Sequence, residues 1–136
     1  MKKYIIASIL AYSLSVHAEE REVDCENAMT TIEMNICSAR EVEAVEKNLE
    51  QYLQKAIERY AGQDKVIEAI KKSQEQWSVY SKEHCTSVYE IWSGGTIRGV
   101  MYSSCMLSLT KQRTHTIWSS FLQYEDSTPP LLPEPK

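Results

Sequence analysis

Four cysteines in a short chain with an export signal limit what this sequence can fold into. The chain has 136 residues, and its cysteines are Cys25, Cys37, Cys85 and Cys105. An even number of cysteines in a small secreted domain is typical of a disulfide framework, because the export compartment is oxidising and a small core needs covalent support. No Cys-x-x-Cys pair occurs. We therefore expect two disulfides rather than a thiol catalyst or a metal site.

The first residues of the chain predict a signal peptide. Lys2 and Lys3 are basic, residues 4–16 are mostly apolar, and Val16 and Ala18 occupy the two positions that a signal peptidase inspects. The apolar stretch is shorter than the roughly 20 residues that a membrane-spanning helix needs. We predict a signal peptide over residues 1–18, with cleavage after Ala18. We expect no membrane anchor after cleavage, and a periplasmic or secreted location.

The charge of the chain favours a protein partner over a nucleic acid. The formal net charge is −4, and loss of Lys2 and Lys3 makes the mature chain more acidic. Phosphate binding requires clustered Lys and Arg, so we expect no nucleic-acid partner, and a basic protein suits this charge better. The remaining length fits one domain, residues 19–126. The tail over 127–136 has four prolines and is expected to be extended and mobile.

Helical periodicity predicts three helices. Thr30 and Glu33 fit a capping box, and apolar residues recur at helical spacing from Ile32 to Tyr60, so a helix is expected over 31–60. Gly62 reads as the stop and Asp64 as the N-cap of a second helix that runs to about Cys85. A third apolar pattern covers residues 96–124. The sequence therefore predicts an all-α fold, a small antiparallel three-helix bundle stapled by two disulfides.

An antiparallel arrangement places all four cysteines at the end of the bundle away from Gly62. We favour the nearest neighbours in sequence, Cys25 with Cys37 and Cys85 with Cys105, although Cys37 with Cys85 and Cys25 with Cys105 is also sterically possible. Between the second and third helices, residues 86–95 are expected to form a loop. Gly94 and Gly95 would permit positive φ there and so a sharp turn.

A set of residues spread over most of the mature chain resembles the LprI-like lysozyme inhibitor family. The similarity covers about residues 24–122 and rests on the spacing of Cys25, Thr31, Glu33, Met34, Asn35, Cys37, Leu49, Tyr52, Gln74, Trp77, Tyr80, Cys85, Cys105, Leu109, Thr110 and Arg113. This resemblance implies an exported bacterial helical domain with two disulfides. In the member that gives the family its name, it implies activity against lysozyme.

The candidate binding residues lie in two segments near the cysteines. Acidic residues surround the first cysteine, and aromatic and aliphatic residues occupy the expected loop; we single out Asp24, Glu26, Tyr89, Glu90, Ile91, Trp92 and Ser93. Acidic groups would attract a basic lysozyme or related muramidase, and Trp92 would anchor the interface. The alternative for the acidic segment is a solvated lead-in to the first helix, and the alternative for Trp92 is that it folds back over the core. The alternative function is an accessory module without inhibitory activity.

Enzymatic activity is not expected. The chain has no Gly-x-Ser-x-Gly, no His-Glu-x-x-His and no phosphate-binding glycine loop, so we predict no catalytic residue, metal or cofactor. A cell-wall hydrolase is the least favoured reading. Among single residues, we expect Trp77, Tyr80, Trp118 and Phe121 in the core. Arg113 should make an ion pair or cap a carbonyl within the bundle.

Overall fold

The structure is a computed structural model that describes residues 23–136. This part of the chain contains three helices and no strand. The helices are α1, Thr31–Arg59, α2, Asp64–Ile91, and α3, Arg98–Phe121. The expected all-α bundle is confirmed. The predicted signal peptide, 1–18, and the acidic residues Glu19, Glu20 and Glu22 lie outside the described residues.

The ends of α1 form as the sequence predicts. The Thr30 hydroxyl accepts a hydrogen bond from the Glu33 N–H at 3.2 Å, and the Glu33 carboxylate accepts one from the Thr30 N–H at 2.9 Å. The bond from the Thr30 backbone, followed by one from Met29, lowers the pKa of Glu33. At the other end, Gly62 has φ 86°, a conformation that favours glycine.

The second helix differs from its prediction at both ends. Gln63, not Asp64, is the N-cap residue, and Asp64 is the first residue of the helix. There its negative charge still suits the positive end of the helix dipole. At the far end, α2 continues past Cys85 to Ile91, because no residue before Gly94 breaks a helix.

The predicted loop over 86–95 is therefore wrong in extent, since the segment between α2 and α3 comprises only residues 92–97. It turns through short backbone hydrogen bonds, from the Ser93 N–H to the Glu90 carbonyl at 3.1 Å and from the Gly95 N–H to the Trp92 carbonyl at 3.0 Å. These bonds let Gly94 and Gly95 keep negative φ. Among the described residues, only Gly62 has a positive φ.

Helix α3 holds the fold together, because α1 and α2 both pack against it and hardly touch each other. The first and third helices run parallel. The Asn35 side chain lies against Thr96 and Gly99 at one end, and Arg59 Nη1 donates to the Phe121 carbonyl at 2.7 Å at the other. The second helix is antiparallel to α3, since Cys85 is bonded to Cys105 and Arg113 is hydrogen-bonded to Gln74.

The two halves of the bundle are held by different forces. The half near Gly62 contains the apolar core, which comprises Leu49, Tyr52, Ala56, Ile117, Trp118 and Leu122. In the other half, Met106 is the one large buried aliphatic side chain among residues 23–136, and the buried residues Cys37, Cys85, Ser81 and Ser103 of that half are small. Hydrophobic burial stabilises the first half, whereas the second depends on its disulfides.

The disulfides are Cys25–Cys37 and Cys85–Cys105, which confirms the favoured pairing and excludes the alternative. They close loops of 12 and 20 residues, and by the chain-entropy model each contributes on the order of 3 kcal/mol. That is a large share of the stability of a small domain.

The expected burial of Trp118 is confirmed, and Trp77 and Phe121 pack half-buried against the core, but the expected burial of Tyr80 is wrong. Tyr80 is 56% exposed and stacks on His84. The reason is that α2 packs mainly against α3, so it buries the narrow strip that includes Ser81 and Cys85. A helix with two neighbours would have buried a wider face.

The proline-rich tail forms no helix and bends at residues 131 and 132, and its last residues are held against the bundle. Leu131 and Leu132 pack against the apolar core. The Tyr52 hydroxyl donates to the Pro133 carbonyl at 2.8 Å, and burial raises the pKa of this phenol. These contacts hold residues 131–134 in place, whereas the composition suggests a mobile end.

We predict that Gly99→Ala destabilises the protein through Asn35. A Cβ atom at position 99 would lie 1.9 Å from Asn35 Oδ1, and the Asn35 side chain is held by a hydrogen bond to the Thr31 carbonyl at 2.6 Å. The cost of overpacking exceeds the gain in helix propensity from Ala. We therefore expect the free energy of unfolding, measured with urea, to fall by about 1 kcal/mol. In an Asn35→Ala background the same change should stabilise. An equal loss in both backgrounds would contradict this contact.

Candidate functional site

The end of the bundle that carries both disulfides brings together the two segments singled out in the sequence. Asp24 and Glu26 precede α1 and are tied to it by Cys25–Cys37, while Tyr89–Ser93 ends α2 beyond Cys85. A hydrogen bond of 3.4 Å from Asn35 Nδ2 to the Thr96 carbonyl links the start of α1 to the segment after α2. We call this region, residues 23–37 and 85–105, the disulfide end.

The acidic segment is folded onto α1. Arg40 Nη1 donates to the Val23 carbonyl at 3.0 Å, and the Asp24 carboxylate accepts bonds from Asn27 Nδ2 at 2.8 Å and from the Glu26 N–H at 3.0 Å. The bond from the Asn27 side chain is the main cause that lowers the pKa of Asp24. Both Asp24 and Glu26 are exposed. The segment therefore presents carboxylates on an ordered turn.

The end of α2 contains residues of two kinds. Tyr89 is half-buried, with its ring edge-on to Tyr102 at 6.4 Å and with the Arg98 guanidinium 4.6 Å from its ring centre. This residue therefore joins α2 to α3. Ile91 is 78% exposed and Trp92 is 43% exposed, so Trp92 does not fold back as a lid over the core.

The start of α1 adds exposed apolar residues that the sequence analysis missed. Met29 is 84% exposed, Ile32 is 73% exposed, and Ile36 is also exposed, although the periodicity assigned Ile32 and Ile36 to the core. The cause is the position of α3, which begins at Arg98, about level with Asn35, so no helix covers the first turn of α1. Gly94 and Gly95 mark the turn before α3. The position of this turn was the sequence signal that α3 begins too late to cover the first turn of α1.

Arg113 has structural partners within the bundle. Arg113 Nε donates to Gln74 Oε1 and its Nη2 donates to Ser73 Oγ, both at 2.9 Å, so the expected ion pair or carbonyl cap is replaced by bonds to an amide and a hydroxyl. Burial lowers the pKa of Arg113. Within residues 23–136, no three His, Cys, Asp or Glu side chains converge as a metal site would require. No helix in that range is long and apolar enough to cross a membrane.

These features define a small helical protein stapled by two disulfides, with exposed apolar and acidic groups at one end. The model of the family described as lysozyme inhibitor LprI matches residues 24–117, and the chain belongs to this family. It is a family of inhibitors rather than enzymes, and two disulfides fit the oxidising compartments in which such inhibitors act.

The chain is also similar to an uncharacterized protein of Rhizobium meliloti (strain 1021). The two are 24% identical over 120 residues, which cover 80% of this chain and 86% of the relative. No solved structure matches the chain.

We predict that the two disulfides protect different parts of the disulfide end. Replacing Cys85 and Cys105 by Ser should speed amide hydrogen exchange in residues 81–91, because little apolar burial holds α2 there. Residues 49–56 and 117–122, in the apolar core, should keep their protection.

The matched control replaces Cys25 and Cys37 by Ser, and it should leave exchange in residues 81–91 unchanged. Both pairs close loops of similar entropic value, on the order of 3 kcal/mol, so the contrast reports location rather than overall stability. Simultaneous loss of protection in all three helices after removal of Cys85–Cys105 would contradict the division of the bundle into two halves.

Proposed function

We propose that this protein is an exported inhibitor of lysozyme or a related muramidase, and that it protects the bacterial cell wall by binding the enzyme through its disulfide end. The observation that carries the proposal is the match to the lysozyme inhibitor family over residues 24–117, a range that includes nearly all of this end. An inhibitor needs no catalytic group of its own. It needs a rigid surface that fits the enzyme and blocks its cleft.

The exposed groups of the disulfide end support this role. Ile91, Trp92, Met29 and Ile32 supply apolar area that remains uncovered in the single chain. Large side chains of this kind on a rigid support are typical interface anchors, because little entropy is lost when they are buried. The disulfides supply the rigidity in the half of the bundle that lacks an apolar core.

Charge supports the same partner. Lysozymes are commonly basic and carry two carboxylates in an acidic cleft. Asp24 and Glu26 would be attracted to the basic surface around such a cleft, which raises the association rate and orients the complex.

The direct test measures lysis of bacterial cell walls by several classes of lysozyme, with and without the purified mature protein. Inhibition at near-stoichiometric amounts supports the proposal. No effect on any class would select an accessory module without inhibitory activity, and lysis by the protein alone would select a cell-wall hydrolase.

We predict that Trp92→Ala and Ile91→Ala each weaken inhibition by at least about tenfold, which corresponds to about 1.4 kcal/mol of binding free energy. Both side chains are exposed, so the substitutions should leave the free energy of unfolding nearly unchanged. Val79→Ala is the matched control, since Val79 is 56% exposed on the same helix but three turns nearer to Gly62. An inhibition constant that is equal for all three variants would contradict this placement of the interface.

We further predict that the double variant Asp24→Asn and Glu26→Gln slows association with a basic lysozyme, and that the wild-type advantage disappears as salt is raised. Dissociation should change little. The control removes the same charge from elsewhere on the surface, by Glu68→Gln with Glu75→Gln, both exposed on α2. If stopped-flow rates fall equally in the two double variants, net charge rather than the acidic segment steers the encounter.

A further inference from the structure

The last residues of the chain follow a defined path over α1 and α3. The Leu131 N–H donates to the Leu122 carbonyl at 3.0 Å, the Trp118 indole donates to the Leu132 carbonyl at 2.9 Å, and the Tyr52 hydroxyl donates to the Pro133 carbonyl at 2.8 Å. A fourth contact of 3.1 Å joins His115 Nε2 to a Glu134 carboxylate oxygen. Four successive residues thus each make one polar contact.

Most of these contacts recognise backbone rather than side chains. Three of the four bonds use an N–H or a carbonyl of the tail, which any extended peptide would offer. Specificity comes from Leu131 and Leu132, whose side chains pack against the apolar core. The donors are fixed in place, since Tyr52 is 6% exposed and Trp118 is 7% exposed.

Proline suits the tail to this position. Pro133 and Pro135 restrict the backbone conformations of Leu132 and Glu134 before any contact is made. A segment of this kind loses little conformational entropy when it binds. Aromatic residues that donate hydrogen bonds to carbonyls of an extended, proline-containing peptide form a recurring mode of recognition.

Beyond these contacts, the connection to the tail is held at its start, where Arg59 Nη1 donates to the Gln123 carbonyl at 2.6 Å and the Arg59 guanidinium lies 4.1 Å from the ring centre of Tyr124. Residues 123–130 are exposed, and their turn is held by a bond from the Thr128 N–H to the Asp126 carboxylate. Leu131 and Leu132 are themselves only half-buried. Release of the tail would break no hydrogen bond within a helix, but it would leave the Tyr52 and Trp118 donors without acceptors.

From these contacts we infer that Tyr52, Trp118 and the apolar side chains beside them form a binding groove for a proline-containing peptide. Its pattern is two large aliphatic residues followed by proline and an acid. The tail of this chain is the resident ligand, and a segment of the same pattern from a partner protein replaces it by competition. This groove is separate from the disulfide end and does not depend on inhibition of lysozyme.

The test uses the full chain with Leu131→Ser and Leu132→Ser, which releases the tail, and a synthetic peptide of residues 127–136 as the probe. The reporter is the indole N–H resonance of Trp118, assigned as the one lost in Trp118→Phe. The released variant should show a shifted Trp118 signal, and the peptide should return it to the wild-type position with saturation. A control peptide with both leucines replaced by Ser should bind at least about tenfold more weakly.

The wild-type chain provides the competition control. Its own tail acts at an effective concentration in the millimolar range, so micromolar peptide should not shift the Trp118 signal. No response of the released variant to millimolar peptide would overturn the inference. Wild-type dimers that exchange tails would likewise overturn it, because the occupant would then be a second copy.

A measurement on the unaltered chain covers the case in which the released variant fails to fold. If the tail is a ligand, it must detach from the bundle from time to time while the helices stay folded. The Trp118 indole N–H and the Leu131 amide should then exchange with solvent at least about a hundredfold faster than the backbone amide of Ile117 in the same core. Equal exchange rates would show that the tail is an integral part of the core and would overturn the inference.

Discussion

The packing of α1 and α2 against α3, and hardly against each other, is the constraint on which the rest of the structure depends. Each outer helix buries only the strip that faces α3, so apolar residues off that strip remain in solvent. Where α3 does not reach, α1 extends beyond it and exposes Met29 and Ile32. Where α3 ends, Arg59 of α1 binds the carbonyls of Phe121 and Gln123 and closes the other end of the bundle. The position of one helix therefore determines which end is closed and which end leaves apolar residues exposed.

One half of the bundle is stabilised by apolar burial and the other by disulfides, and this difference explains how such a small domain keeps apolar groups exposed. Burial of Leu49, Ile117 and their neighbours stabilises the half near Gly62. In the other half, Cys85–Cys105 joins α2 to α3 across small side chains, so rigidity is supplied without large apolar residues inside. The aliphatic and aromatic residues at that end are then free to face a partner. An oxidising compartment is a condition of this arrangement.

Local features of the fold could be predicted from the sequence, and features that depend on neighbouring helices could not. The capping box at Thr30 and the positive φ of Gly62 depend on a few adjacent residues, and the disulfide pairing follows sequence proximity. Periodicity, by contrast, identifies the apolar face of a helix but not the length of that face that a partner covers, so Ile32 and Tyr80 were assigned to the core. Proline content indicates a segment that cannot continue a helix, but it does not reveal the donors that hold Leu132 and Pro133. Of the exposed apolar residues at the disulfide end, Ile91 and Trp92 were singled out from the sequence and those at the start of α1 were not.

The central claim is that the disulfide end is the surface that binds lysozyme. Amide hydrogen exchange of the full mature chain, measured alone and in a saturated complex with the lysozyme that it inhibits most strongly, tests this claim directly. The account predicts slower exchange in the complex for residues 29–36 and 89–97 and unchanged exchange for residues 58–66 and 119–126. Protection confined to the end near Gly62, or a stable complex without protection at either segment of the disulfide end, would contradict it.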